Sequence, residues 1–163
     1  MLTHYRKPVS LSLVSTDLPI RSFIETAATV YQKDRERFHL LLHEPDVLEV
    51  NTFDPIPSVS QQSTATKPRL LWLEVSPNRA VMTMQGNGQF SYRHLWQKGA
   101  YGLSRYYLQM DSGNLPSQLR LRNFTRNFQL TGYPLPEHLR LEYELWSQKV
   151  CLGRYVLNLE VHH

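Results

Sequence analysis

The sequence predicts an α+β fold that is mostly β: an antiparallel meander forming a partly closed barrel or strongly curved sheet, covered by one N-terminal helix. Three features predict it. Strand-like runs repeat from residue 69 to the C-terminus, turn residues separate them at short intervals, and one stretch near the N-terminus has helical apolar spacing. The 163 residues suit a single domain, 1–163, in which 1–53 is a strand-helix-strand start, 54–68 a mobile loop and 69–163 the meander. A chain of this length can bury about two-thirds of the surface that it would expose unfolded.

Residues 9–14, Val-Ser-Leu-Ser-Leu-Val, alternate as a strand with one buried face does. Ser15, Thr16 and Asp17 then offer helix N-caps, and Pro19 suits a first helical turn. The spacing of Ile20, Phe23, Ile24, Ala27, Ala28 and Tyr31 predicts a helix over 19–33, with the charged run 33–37 as its solvated end. Residues 38–43 read as a strand or as a continuation of the helix, followed by Pro45 and a second strand at 47–50. Between Asp54 and Pro68 the sequence DPIPSVSQQSTATKP holds little that can be buried, which predicts the mobile loop.

Seven strands follow: 69–75, 79–85, 89–96, 103–110, 118–131, 138–146 and 150–161. Ser76-Pro77-Asn78, Gly86-Asn87-Gly88, Lys98-Gly99, Asp111–Asn114, Gly132-Tyr133-Pro134 and Ser147-Gln148-Lys149 punctuate them. Leu139, Leu141, Tyr143 and Leu145 share a dry face opposite His138, Arg140, Glu142 and Glu144. Cys151, Tyr155, Leu157, Leu159 and Val161 repeat that pattern. In the longest run Leu119 and Leu121 are odd whereas Phe124, Phe128 and Leu130 are even, so a β-bulge is expected near Asn123. That bulge would put Arg126 on the face of Phe124 and Phe128, where a charge needs a carboxylate or a bound anion.

The composition is that of a globular chain, 41% hydrophobic and 20% charged. No apolar run is long enough to span a bilayer, and residues 1–10 lack a signal peptide's apolar stretch, so a cytoplasmic location with no membrane partner is expected. Cys151, the one cysteine, has no intramolecular partner and reads as a small buried hydrophobe. Asn123-Phe124-Thr125 has the form of a glycosylation acceptor but is idle without secretion. The net charge of +4 comes from the C-terminal part: residues 1–68 carry seven Lys/Arg against eight Asp/Glu, and residues 69–163 carry eleven against six. Such an excess favours acidic surfaces or nucleic acid.

No cofactor or metal site is expected. His39 and His43 fall at i and i+4, which brings imidazoles together on a helix but leaves them about 13 Å apart on a strand. His162 and His163 are a bare terminal pair. His94 shares a face with Phe90, Tyr92 and Trp96, and its expected role is a buried, hydrogen-bonded ring, because no partnered nucleophile or acid accompanies it. Gly86-Asn87-Gly88 lacks the lysine and helix of a phosphate loop and suits a hairpin turn. An enzyme is therefore not suggested.

The functional hint lies in the interleaving of cations and rings. Arg93, Arg105, Tyr107, Arg120, Arg122 and Arg126 are candidate nucleic-acid contacts, because arginines between aromatic rings can hold phosphates while bases stack. Strand alternation alone also gives this pattern, with rings inside and guanidiniums outside. Phe90, Tyr92, His94, Trp96, Tyr106 and Phe124 are candidate walls of a ligand-binding interior. The sequence thus predicts a non-enzymatic binding or assembly module that meets a protein partner through its sheet, an edge strand or the 54–68 loop. An RNA- or single-stranded-DNA-contacting subunit and a barrel holding an apolar small molecule or chromophore are the alternatives.

Overall fold

The structure is a computed structural model that describes residues 3–44, 69–86, 90–108 and 117–163. Ten strands run in chain order: β1 (Thr3–Ser15), β2 (Arg21–Gln32), β3 (Phe38–Glu44), β4 (Arg69–Ser76), β5 (Arg79–Gln85), β6 (Phe90–Gln97), β7 (Tyr101–Leu108), β8 (Ser117–Thr131), β9 (His138–Ser147) and β10 (Val150–Val161). Each pairs antiparallel with its neighbours in sequence, and β1 pairs with β10 from Val9↔Val161 to Ser15↔Tyr155. The sheet closes completely rather than partly. Closure hides the dry face and removes every edge, the two liabilities of an open apolar sheet. The strand expected at 47–50, the 54–68 loop and the turns at 87–88 and 111–114 lie outside the described residues.

The expected helix is β2, and among the described residues there is no helix. Ile24, Ala28 and Val30 face the core, while Phe23 is exposed on the other side, so the helical stripe is divided between two faces. Ile24, Thr26, Thr29 and Val30 are β-branched and suit a strand. Pairing with β1 over twelve residues and with β3 over five supplies backbone partners that a lone helix would have found internally. The expected cap residues hold the β1–β2 loop instead. Ser15 Oγ accepts a hydrogen bond from the Leu18 N–H at 3.0 Å, and Asp17 Oδ1 accepts from the Arg154 N–H at 3.0 Å.

The core is a cylinder of inward side chains. On β3–β5, Phe38, Leu40, Leu42, Leu71, Leu73, Val75, Ala80, Met82 and Met84 are all buried, and each large one contributes about 1.5–3 kcal/mol relative to exposure. Leu139, Leu141, Tyr143, Leu157, Leu159 and Val161 continue the same lining on β9 and β10.

Three local readings change. The bulge in β8 falls between Thr125 and Asn127, at Arg126 rather than at Asn123. Leu121, Asn123 and Thr125 are therefore buried before it and Phe128 after it, whereas Phe124 turns outward to Tyr101 and Glu144. Arg126 does not join the inner face; it donates from Nε to Glu144 Oε1 at 2.7 Å on the outside. Cys151 is exposed, because the register of β10 shifts between it and Gly153.

Gly102 is required where it stands. A Cβ there would overlap the Leu95 carbonyl oxygen, and the space that a side chain would take lets β6 approach β8 beneath β7.

Candidate functional site

The sequence candidates separate onto two surfaces, the barrel interior and its outer wall at β6–β8. The end of the barrel where β6 begins and β7 finishes is termed the upper end.

Inside, His94 is buried in a group of rings. Trp96 stacks on it with centroids 4.9 Å apart and planes 4° from parallel, Tyr92 lies at 5.1 Å, Tyr106 meets it edge-on at 5.4 Å, and Tyr143 lies at 6.3 Å. Tyr155 stacks on Tyr143 at 5.2 Å. Beneath the rings runs a polar chain. Asn123 Nδ2 donates to the Leu95 carbonyl at 3.0 Å and to Ser104 Oγ at 2.9 Å, and Ser104 Oγ lies 2.7 Å from His94 Nδ1. Since the serine oxygen already accepts from Asn123, the arrangement that satisfies the chain has its hydroxyl donating to Nδ1, with the imidazole proton on Nε2. The buried histidine thus finds its hydrogen-bond partner in a serine.

Burial sets the charge of this interior. It pushes the His94 pKa down to about 4 and the Tyr106 pKa up to about 12, the latter with help from Tyr155. Burial likewise raises Tyr143 well above its ordinary value, and Tyr155 is raised by burial and then by Asp17. Near neutral pH the ring group is uncharged.

The packing is uneven around the barrel. On β3–β5 the inward positions are sealed as far as Leu42, Leu71 and Met84 near the upper end. On β8, Leu119 lies opposite the inward Tyr106 and yet is 49% exposed, and Tyr92, Tyr106 and Tyr155 are only part-buried. Toward the upper end the inward side chains on β6–β8 and β10, three tyrosines and a leucine, are therefore less buried than those on β3–β5, and His94 and Tyr143 lie buried beneath them. Of the sequence-derived wall residues, Tyr92, His94, Trp96 and Tyr106 face inward, Trp96 being wholly buried. Phe124 does not belong there, and the Phe90 side chain lies outside the described part. Ser104, Leu119, Asn123, Tyr143 and Tyr155 were missed as site residues, although the dry-face alternation of β9 and β10 already carried the two tyrosines.

Outside, register arranges the arginines. Arg93 lies opposite Arg105 across β6 and β7, and Arg105 opposite Arg120 across β7 and β8. One row toward the upper end are Ser91, Tyr107 and Gln118. Toward the lower end the Arg122 guanidinium sits 5.1 Å over the Tyr101 ring, itself 5.0 Å from Phe124. Arg126 stands apart with its carboxylate. His39 and His43 are on strand β3 and do not meet; His39 lies 3.7 Å from Glu74 and edge-on to Trp72. No group of metal-ligating side chains occurs among the described residues, and no helix there is long and apolar enough to cross a membrane.

The described strands define a closed, ten-stranded, antiparallel up-and-down barrel. The crystal structure of the ywiB protein from Bacillus subtilis is similar, with a TM-score of 0.56 and 15% identity, covering 99% of this chain and 94% of that one. At that identity the likeness is one of fold. No protein-family model and no curated protein matches the chain.

Proposed function

We propose that this is a non-enzymatic binding protein that takes an uncharged, ring-bearing small molecule through the upper mouth of its barrel. The observation that carries this reading is Leu119, an inward side chain left half exposed on a wall whose other members are tyrosines. Eight strands already enclose enough space for side chains or one small ligand, and ten enclose more. The floor favours a neutral guest, because a charge placed against His94 and Tyr143 would lose its hydration without a counter-charge. Stacking and edge contacts from Tyr92, Tyr106 and Tyr155 favour a planar ring.

The His94–Ser104 pair supports binding rather than catalysis. Ser104 is wholly buried, and its oxygen is committed to Asn123 and His94. Partner recruitment by strand addition loses its support, because closure through β1 and β10 leaves no described strand with a free edge.

Calorimetric titration with a neutral two-ring phenol such as 1-naphthol tests the proposal. Leu119→Trp, which fills the mouth from an exposed position, should weaken binding about tenfold or more at unchanged melting temperature. Equal affinity in the wild type and Leu119→Trp, or no heat with either, would overturn it.

A further inference from the structure

Apart from the barrel interior, the outer wall of β6–β8 gathers a row of charge. Arg93, Arg105 and Arg120 form a straight cross-strand row, which at the spacing of neighbouring strands spans about 10 Å. Like charges directly opposite one another in a sheet repel. Four arginines elsewhere in the barrel do pair with carboxylates: Arg37 with Asp34, Arg126 and Arg154 with Glu144, and Arg140 with Glu142. Among the described residues no carboxylate pairs with any member of the row. Arg120 has only a 3.4 Å contact to Gln118 Oε1, and Arg105 Nε is shielded from solvent with no hydrogen-bond partner. The outward positions of β6, β7 and β8 up to its bulge carry no acid, nor do Asn127 and Gln129 beyond it. An acid at any of them would relieve the repulsion, so the row is costly to the free protein and suited to an anion.

Flanking rings narrow the anion. Tyr107, 39% exposed, lies one row above the arginines, and Tyr101, 60% exposed, lies below them beside Arg122. A chain with regularly spaced phosphates and unstacked planar groups meets both features, since guanidiniums take the phosphates and tyrosines take the rings. A lipid headgroup or an acidic peptide uses the cations and leaves the rings idle. A duplex keeps its bases stacked away from them. We infer that the outer face of β6–β8 binds single-stranded nucleic acid, with phosphates over Arg93, Arg105 and Arg120 and bases against Tyr107 and Tyr101.

The test is fluorescence anisotropy with labelled oligouridine and a mixed-sequence RNA of about ten nucleotides, between about 50 and 200 mM salt. The variant Arg93→Gln/Arg105→Gln/Arg120→Gln should weaken both RNAs alike and flatten the slope of log affinity against log salt by about 2, near 0.7 per lost phosphate contact. Tyr107→Ala should weaken binding roughly 5- to 150-fold with the slope unchanged, because stacking releases no counterions. Without RNA the triple variant should melt at or above the wild-type temperature, since its charges no longer repel. If it melts lower, Arg93→Gln and Arg120→Gln, both at exposed positions, should each flatten the slope by about 0.7. The inference is overturned if the wild type binds neither RNA at the lowest salt, or if the arginine variants keep the full slope. It is equally overturned if polyglutamate, anionic vesicles or a duplex of the same length bind as tightly. None of these outcomes touches the mouth, where binding of a neutral guest is read separately.

Discussion

Lowering the pH should destabilise the barrel, chiefly through His94. Its ring is buried against Trp96 and neutral, with a pKa of about 4 against 6.5 for an ordinary histidine, and desolvation is the cause. Between those two values the unfolded chain binds a proton that the folded protein refuses. The contribution is complete above 6.5 and is lost as the pH falls toward 4. At 1.36 kcal/mol per unit, the loss is about 3 kcal/mol, a large share of a stability of about 5–15 kcal/mol. His39 titrates in the same direction, lowered by its own desolvation, while Glu74 opposes the shift. Asp17, Asp34 and Glu142 have lowered pKa values, so their contributions fade only as the pH falls through about 4.5 for Glu142 and below about 4 for the aspartates. The assay is urea unfolding at several pH values from about 7 down to 4, followed by tryptophan fluorescence, with His94→Gln as the control. The glutamine amide introduced there can still bond to Ser104 but cannot titrate. The variant should be less stable at neutral pH and should lose about 3 kcal/mol of the wild type's pH dependence. Parallel pH profiles for the two proteins would show that His94 is not the source of the acid sensitivity.

Other substitutions probe the packing. Leu141→Ala, at a fully buried inward position, should cost about 2–5 kcal/mol in a denaturant melt, whereas Glu142→Ala on the outer face should change stability by about 0.5 kcal/mol or less. Gly102→Ala should cost more than about 2 kcal/mol, because its Cβ meets the Leu95 carbonyl, and a neutral result would place β6 and β8 further apart than they stand here. Asn123→Leu should cost about 2–4 kcal/mol, since the Leu95 carbonyl and Ser104 each lose a buried donor; Asn123→Asp, which accepts but cannot donate, should do no better in the same melts.

Alternation made the C-terminal meander readable. Leu139, Leu141, Tyr143 and Leu145 are buried on β9, as their period-two spacing indicates, and strands β4–β10 fall on the seven expected runs. The same signal failed at residues 21–32. Ile24, Ala28 and Tyr31 satisfy a helical period as readily as Ile24, Ala28 and Val30 satisfy a strand, and only pairing with β1 and β3 decides between them. At Arg126, parity showed that a bulge existed but not which residue it claimed; Glu144, buried on the outer face, marks the place by holding the displaced arginine.

Register is the other property that sequence spacing hides. Arg93, Arg105 and Arg120 stand at unrelated intervals along the chain, and it is the hairpin geometry of β6–β8 that turns them into one row. The ring group around His94 was legible only in fragments, as Tyr92, His94 and Tyr106. Ser104 and Asn123 look like solvated polar residues until closure of the barrel places them beneath the histidine.

Amide chemical-shift mapping during titration with 1-naphthol tests the proposed mouth most directly. Binding there should shift residues 92, 106, 119, 143 and 155, with residues 38–42 and 71–75 unmoved on the sealed wall. Shifts confined to outward residues such as Phe23, Tyr101 or Leu152, or none at a saturating concentration, would contradict it.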